Sequence, residues 1–230
     1  MDREQKKQLI LSHRRLSQWA CWAYNHLPFC NKLHARGVQL YQGVSLLRGL
    51  KIYSSGVDNR IILDDFVRLN DCTIRILGSH NTITIGEDST LNRTDLHLEN
   101  DHNQVIIGRR TDLYGPTHAA VIEGTTLKIG DDCMFSGDLH IRTGDSHSVV
   151  DLTGKRINPS KDIVIGDHVW IGTKVTCLKG VSVPENCIVA ATTTLCGRFD
   201  QKNAVIAGVP GKVVKTGVNW SPERLKADND

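Results

Sequence analysis

Between Ile165 and Leu195 apolar or small residues recur every six positions. Ile165, Ile171, Cys177, Val183, Val189 and Leu195 share one register, and Val169, Val175, Val181, Cys187 and Thr193 follow the first five by four residues. This period fits neither the turn of an α-helix, about 3.6 residues, nor the alternation of a half-buried strand. It predicts a chain wound into a triangular prism, each hexapeptide making one short strand and one turn and pointing one apolar side chain inward. Three hexapeptides close a coil, and coils stack at the strand spacing of about 4.8 Å. No hexapeptide buries enough surface alone, so the ladder must form together.

Upstream the repeat is longer. Leu63, Ile85, Ile107 and Ile129 lie at intervals of 22, followed six residues later by Leu69, Leu91, Leu113 and Phe135 and preceded by Ile61, Ile83, Val105 and Leu127. Such a coil is a regular coil with about four residues added at a corner, so wide coils are expected first and regular ones later. Asn59, Asn81 and Asn103 stack in this register, as do His80 with His102 and His118 with His140. Asparagine columns at such corners satisfy turn amides and tolerate left-handed backbone. After Ile141 the pattern lapses, and the polar, turn-rich residues 144–162 read as a loop thrown out from the prism. Register is kept across it, because Ile129, Phe135, Ile141 and Ile165 differ by multiples of six. Loops on rigid scaffolds are where sites are built.

At the N-terminus, Leu9, Leu16, Trp19, Ala20, Ala23 and Leu27 predict a helix from residue 2 to about 27, with a basic first half, ended by Pro28. It is expected to cover the open end of the prism; the alternative is peripheral contact with a membrane surface or a partner enzyme through Trp19 and Trp22. Residues 31–56 show short apolar runs without a clear period. After the repeats, AVIAGVPGKVVK reads as a last strand and turn, and SPERLKA as a short helix with Ser221 as N-cap and Pro222 at its first position. The expected division is therefore an N-terminal helical extension (1–56), the prism (57–216) with its extruded loop (144–162), and a C-terminal tail (217–230).

Composition narrows the class. Of 230 residues, 40% are hydrophobic and only 5% aromatic, which suits a stacked Ile/Val/Leu core better than a large sandwich. A net charge of +3 gives no reason to expect nucleic acid. Seven cysteines form no CxxC pair, and two of them, Cys177 and Cys187, fall at inward positions, which points to reduced thiols and a cytoplasmic location, peripheral to the inner membrane if the helix binds it. The N-terminal residues contain no secretory apolar core, and no segment reaches the length of a transmembrane helix.

The combination TGDSHSV, TGKRINPSKDIVIGDHVWIG, IVAATTTL and AGVPGKVVK resembles the hexapeptide-repeat acyltransferases, most of all the acetyl-CoA O-acetyltransferases of capsular or other surface polysaccharides, with galactoside and serine acetyltransferases as more distant relatives. The resemblance covers roughly residues 60 to 215. It implies an all-β fold, a left-handed parallel β-helix with an N-terminal helix and a short C-terminal helix. The left-handed sense comes from the resemblance alone, since general chirality favours right-handed crossovers. It also implies a homotrimer with the cofactor groove between subunits.

By the same resemblance His147 is the catalytic base, which suits an imidazole titrating near neutrality that must take a proton from an alcohol attacking a thioester. Trp170, in VWIG, belongs near the thioester end of acetyl-CoA, packing on the pantetheine arm and shaping the acceptor groove, or packing at a subunit interface. Thr173 and Ala191, one coil apart, would let the arm lie flat, and Arg198, Lys212 and Lys215 match basic positions near the nucleotide phosphates. Gly197, Arg198 and Phe199 depart there from the TKD usual in the family. Asp145 and His140 are assigned to the acceptor, a polysaccharide or sugar. No metal is expected. Two alternatives remain: N-acetylation of a nucleotide-linked amino sugar, and a zinc-binding β-helix like the γ-class carbonic anhydrases, using His80, His97 and His102.

Overall fold

Three parallel sheets form the walls of the prism. The computed structural model describes residues 2–27, 30–33 and 35–223. The first wall has seven strands, from Val38–Gln42 through Asn59–Leu63, Thr82–Ile85, Gln104–Ile107, Thr126–Ile129 and Ile163–Ile165 to Ser182–Val183. The second starts at Leu46–Arg48, reaches Ile188–Val189 through Met134–Phe135 and Trp170–Ile171, and ends in the hairpin Ala204–Gly208 and Gly211–Thr216. The third, again seven-stranded, runs from Lys51–Ser54 through Leu139–Arg142 and Thr176–Cys177 to Thr194–Leu195. The fold is the expected parallel β-helix.

The core consists of three columns, one per wall. Leu63, Ile85, Ile107, Ile129, Ile165 and Val183 are direct partners in the first. Leu69, Leu91, Leu113, Phe135, Ile171 and Val189 are partners in the second. Ile74, Leu96, Ala119, Ile141, Cys177 and Leu195 make the third. All are buried, and burial pushes the Cys177 thiol up to about 12, so it fills space as a small hydrophobe.

The extra residues of the wide coils are not confined to a corner. They lengthen the third wall, whose strands run six residues at Thr94–Glu99 and Thr117–Ile122 but two at Thr176–Cys177 and Thr194–Leu195. They also widen the edge between the third and first walls, which the asparagine column fills. Asn59, Asn81 and Asn103 are fully buried. Asn59 Oδ1 accepts from Asn81 N (2.9 Å) and Nδ2 (3.1 Å), and Asn81 Oδ1 accepts from Asn103 N (2.8 Å) and Nδ2 (2.9 Å). The left-handed conformation falls one residue earlier, on Asp58, His80 and His102, so the asparagines satisfy amides and their neighbours take the turn. The column ends where Thr125 Oγ1 donates to Ile122 O (2.7 Å) and accepts from Thr143 Oγ1 (2.7 Å), at the root of the long loop.

Three boundaries differ from expectation. The first coil begins at Val38 rather than near residue 57; Leu40 pairs with Ile61 at an interval of 21, not 22, which hides the repeat. The N-terminal helix is two helices, α1 (Arg3–Ser12) and α2 (Arg14–Asn25). At the break Ser12 Oγ donates to Leu9 O (2.8 Å) and the His13 ring lies 3.3 Å from the same carbonyl, competing with the helical ladder. α1 lies away from the end of the prism, and α2 caps it only in part, through Asn25 at its last position. Both lie along the edge between the first and second walls, where Arg3 and Lys7 pair with Asp88 (2.7 and 2.8 Å) and Arg14 with Asp65 (3.1 Å). Asn25 is buried there, donating to Ser45 O (2.9 Å) and accepting from Leu47 N (2.9 Å). The rest of the end is covered by Leu33, packed in the core, with Lys32 bridged to Lys51. Trp19 and Trp22 are exposed, and among the described residues no helix is long and apolar enough to cross a membrane. Pro28 and the C-terminal helix beyond Glu223 lie outside the described residues; Ser221 Oγ accepts from Glu223 N (3.1 Å), as an N-cap would.

Candidate active site

The loop leaves the prism after Thr143, at the edge between the third and first walls, and returns at Ile163. Its exit is tight: a β-carbon on Gly144 would collide with Ser160 and Ile122. It is ordered by its own polar groups. Arg156 pairs with Glu123 (2.7 Å), and Ser160 Oγ donates to the same carboxylate (2.7 Å). Those partners hold the Glu123 carboxyl down to about 2. The outer part folds back as a hairpin, with Val150 bridged to Arg156 and Asp151 Oδ1 accepting from Thr153 N (2.9 Å) and Lys155 N (3.0 Å).

His147 sits on the exit limb. Its imidazole is exposed, and no described residue hydrogen-bonds it, so both ring nitrogens are free to meet a substrate. What fixes it is its main chain: the carbonyl accepts from Asn158 Nδ2 (2.8 Å). Asn158 is buried and spans the loop, donating also to Asp145 Oδ2 (2.8 Å) and accepting from Val149 N (2.7 Å). Lys179, from the next coil, is hydrogen-bonded to Asp145 and donates to Asn158 O (3.1 Å). These bonds, that of Lys179 first, hold the Asp145 carboxyl below its usual range. Asp145 is therefore engaged in supporting the loop. His140 lies exposed on the third wall, 6.3 Å from the His118 ring.

Trp170 is outward on the second wall, between Met134 and Ile188, and 37% exposed. The second wall is the one opposite the edge that carries His147. A single chain thus holds the two residues on opposite sides of the prism. Thr173 and Ala191 stack on the edge after Trp170, with Thr192 N donating to Thr173 O (2.8 Å), and a β-carbon on Gly172 would meet the main chain of Ala191. Lys212 and Lys215 lie on the terminal hairpin of the second wall, whereas Arg198 bridges Ser182 of the first. The three basic residues do not share a face.

Among the described residues no three His, Cys, Asp or Glu side chains are arranged to hold a metal ion. His80 and His102 stack at 5.1 Å as a ladder pair, and the His97 ring faces Glu99 at 3.9 Å. The residues that sequence reasoning passed over are Asn158, Lys179, Glu123 and Trp220. Asn158 and Lys179 are separated by a whole coil, and no local pattern links them.

No family model matches the chain. It is 34% identical over 177 residues to a polysialic acid O-acetyltransferase of Neisseria meningitidis, an alignment covering 76% of this chain and 81% of that one. Among solved structures, the polySia specific acetyltransferase NeuO superposes with a TM-score of 0.78 at 28% identity, covering 86% of this chain and 84% of NeuO. The polysialic acid O-acetyltransferase OatWY gives 0.77 at 29% identity, covering 84% of this chain and 91% of that one.

Proposed function

This chain belongs to the hexapeptide-repeat O-acetyltransferases, and we propose that within that family it transfers acetyl from acetyl-CoA to a hydroxyl of a capsular or other surface polysaccharide, at a site shared between neighbouring chains of a homotrimer. The observation that carries the composite site is the placement of His147 on one edge of the prism and Trp170 on the opposite wall. A neighbour turned about a threefold axis presents its His147 edge to this chain's Trp170 wall, and such head-to-tail contacts close into rings.

In this reading the neighbour's imidazole takes the proton of the sugar hydroxyl as its oxygen attacks the thioester carbonyl. The C–O bond forms, the C–S bond breaks, and the proton goes on to the coenzyme A thiolate. The exposed, unbonded His147 ring on a braced loop suits that role. Trp170 packs along the reacting end of the donor, and Thr173 and Ala191 carry its arm along their edge. Lys212 and Lys215 offer cations for the phosphates on the same wall as Trp170. Arg198, on the first wall, reaches them only from a different face.

The test is incubation of purified protein with acetyl-CoA and surface polysaccharides, polysialic acid among them, followed by mass spectrometry. An acetyl mass gain removed by mild base is expected. A base-stable gain would mean an amide and the N-acetyltransferase alternative; no gain on any polysaccharide would overturn the reading.

A further inference from the structure

A cavity of about 410 Å³ opens on the second wall, on the N-terminal side of Trp170, and none of the residues assigned above accounts for it. Its outer boundary is the C-terminal tail. Trp220 stacks on His168 (4.4 Å between ring centres, 10° between planes), its Nε1 donates to His168 O (2.9 Å), and the His168 ring lies 3.2 Å from Trp220 O. These contacts pin the tail across the wall, with the Trp220 ring 6.2 Å from that of Trp170.

The floor is polar and rigid. Arg110 and Asp132 form a two-point pair (2.6 and 2.7 Å), and Asp112 is fixed by Thr90 N (3.1 Å) while its second oxygen accepts from the exposed Tyr114 hydroxyl (3.2 Å). Aromatic rings, carboxylates and a guanidinium lining one cavity are what a saccharide needs: ring faces for its C–H surfaces, acceptors and donors for its hydroxyls. The volume lies within the roughly 300–1,000 Å³ of small-molecule pockets.

We propose that this cavity is a subsite for one saccharide unit of the acceptor, beside the unit that is acetylated, with Trp220 and Tyr114 as its stacking platforms. The inference rests on the acceptor being a glycan, as proposed above. The donor lies along Thr173, Ala191 and the terminal hairpin, on the C-terminal side of Trp170; the cavity lies on its N-terminal side, so donor and acceptor approach the tryptophan from opposite ends of the wall. Arg3 of α1 also lines the cavity and is held there by Asp88.

Binding is tested apart from turnover. Wild type, Trp220→Ala and Tyr114→Ala are applied, as intact full-length protein, to an array of capsular and lipopolysaccharide oligosaccharides that includes polysialic acid oligomers. Wild type is expected to retain at least one oligosaccharide, and each variant to bind it about tenfold or more weakly, a loss of the size one aromatic contact supplies. On an acetylated acceptor, the variants are expected to raise its KM by a similar factor while the KM for acetyl-CoA moves less than about twofold. No retention by wild type, unchanged retention by both well-folded variants, or an equal rise in both KM values overturns the subsite. Retention that depends on Trp220 without any acetyl transfer would instead overturn the proposed reaction and leave the saccharide site standing.

Discussion

The coils before Thr143 and those after Asp162 share one core but differ in the length of the third wall and in the edge that follows it. In the wide coils the edge between the third and first walls is filled by Asn59, Asn81 and Asn103, each bonded to the next. In the regular coils the same edge is a tight turn, with Val181 N donating to Leu178 O (3.3 Å), and Trp170, Thr173 and Ala191 lie away from it, on the second wall and the edge that follows. The long loop leaves between the third and first walls, at the junction of the two regimes, with Thr125 and Thr143 terminating the asparagine column. The wide half is a rigid stack that anchors the loop from below, through Glu123, and the narrow half holds it from above, through Lys179. Length added to a coil here supports a site on the neighbouring coil.

Substitutions on the two sides of the junction should separate accordingly. His147→Ala is expected to lower turnover by about 10²–10⁴-fold with little change in melting temperature or acetyl-CoA affinity; retention of more than about a tenth of wild-type turnover in a folded trimer would place the base elsewhere. Asn81→Ala should do the reverse. It strips the acceptor from the buried Asn103 main-chain N–H, while the Asn103 side-chain amide keeps Glu99 O and Asn100 O, a cost of about 1–3 kcal/mol that denaturant titration would register. A variant that melts like wild type would show that the column does not stiffen the wide half.

Asn158→Ala is smaller and sits between the two. It frees the His147 carbonyl and the Val149 amide and leaves Asp145 to Lys179 alone, so turnover should fall about tenfold, with acetyl-CoA binding kept. Asn158→Asp, which keeps the acceptor for Val149, should recover part of that loss. The mildest effect is one of pH. The Glu123 carboxyl is depressed from its ordinary 4.5 to about 2, so its hold on Arg156 and Ser160 is complete above the ordinary value and is lost as pH falls toward 2. Hydrogen exchange of the loop amides should quicken across that window relative to the core, and Glu123→Gln should show the faster exchange at every pH.

The periods of 6 and 22 made the prism legible because every inward position is read by the same core, and a column of buried Ile, Val and Leu leaves its spacing in the chain. The first coil escaped because Leu40 and Ile61 are 21 apart, one residue off the repeat. Broken helices and their docking escaped for another reason: α1 buries nothing and is held through Arg3 and Lys7 on Asp88, a pairing 81 to 85 residues apart that no local pattern marks. His147 and Trp170 were legible only through the motifs of the family. Asn158, Lys179 and the Trp220–His168 stack depend on which coils lie side by side, information that resides in the fold.

The central claim is that one active site takes His147 from one chain and Trp170 from its neighbour. His147→Ala and Trp170→Ala proteins, each impaired alone, would be unfolded together at equal concentration, refolded into mixed trimers and assayed. If the site is shared between chains, random mixing in a threefold ring gives each site about a one-in-four chance of holding both intact residues, so about a quarter of wild-type activity should return. If both residues act within one chain, no mixed trimer contains an intact site, and activity that stays at the average of the two parent variants would contradict the account.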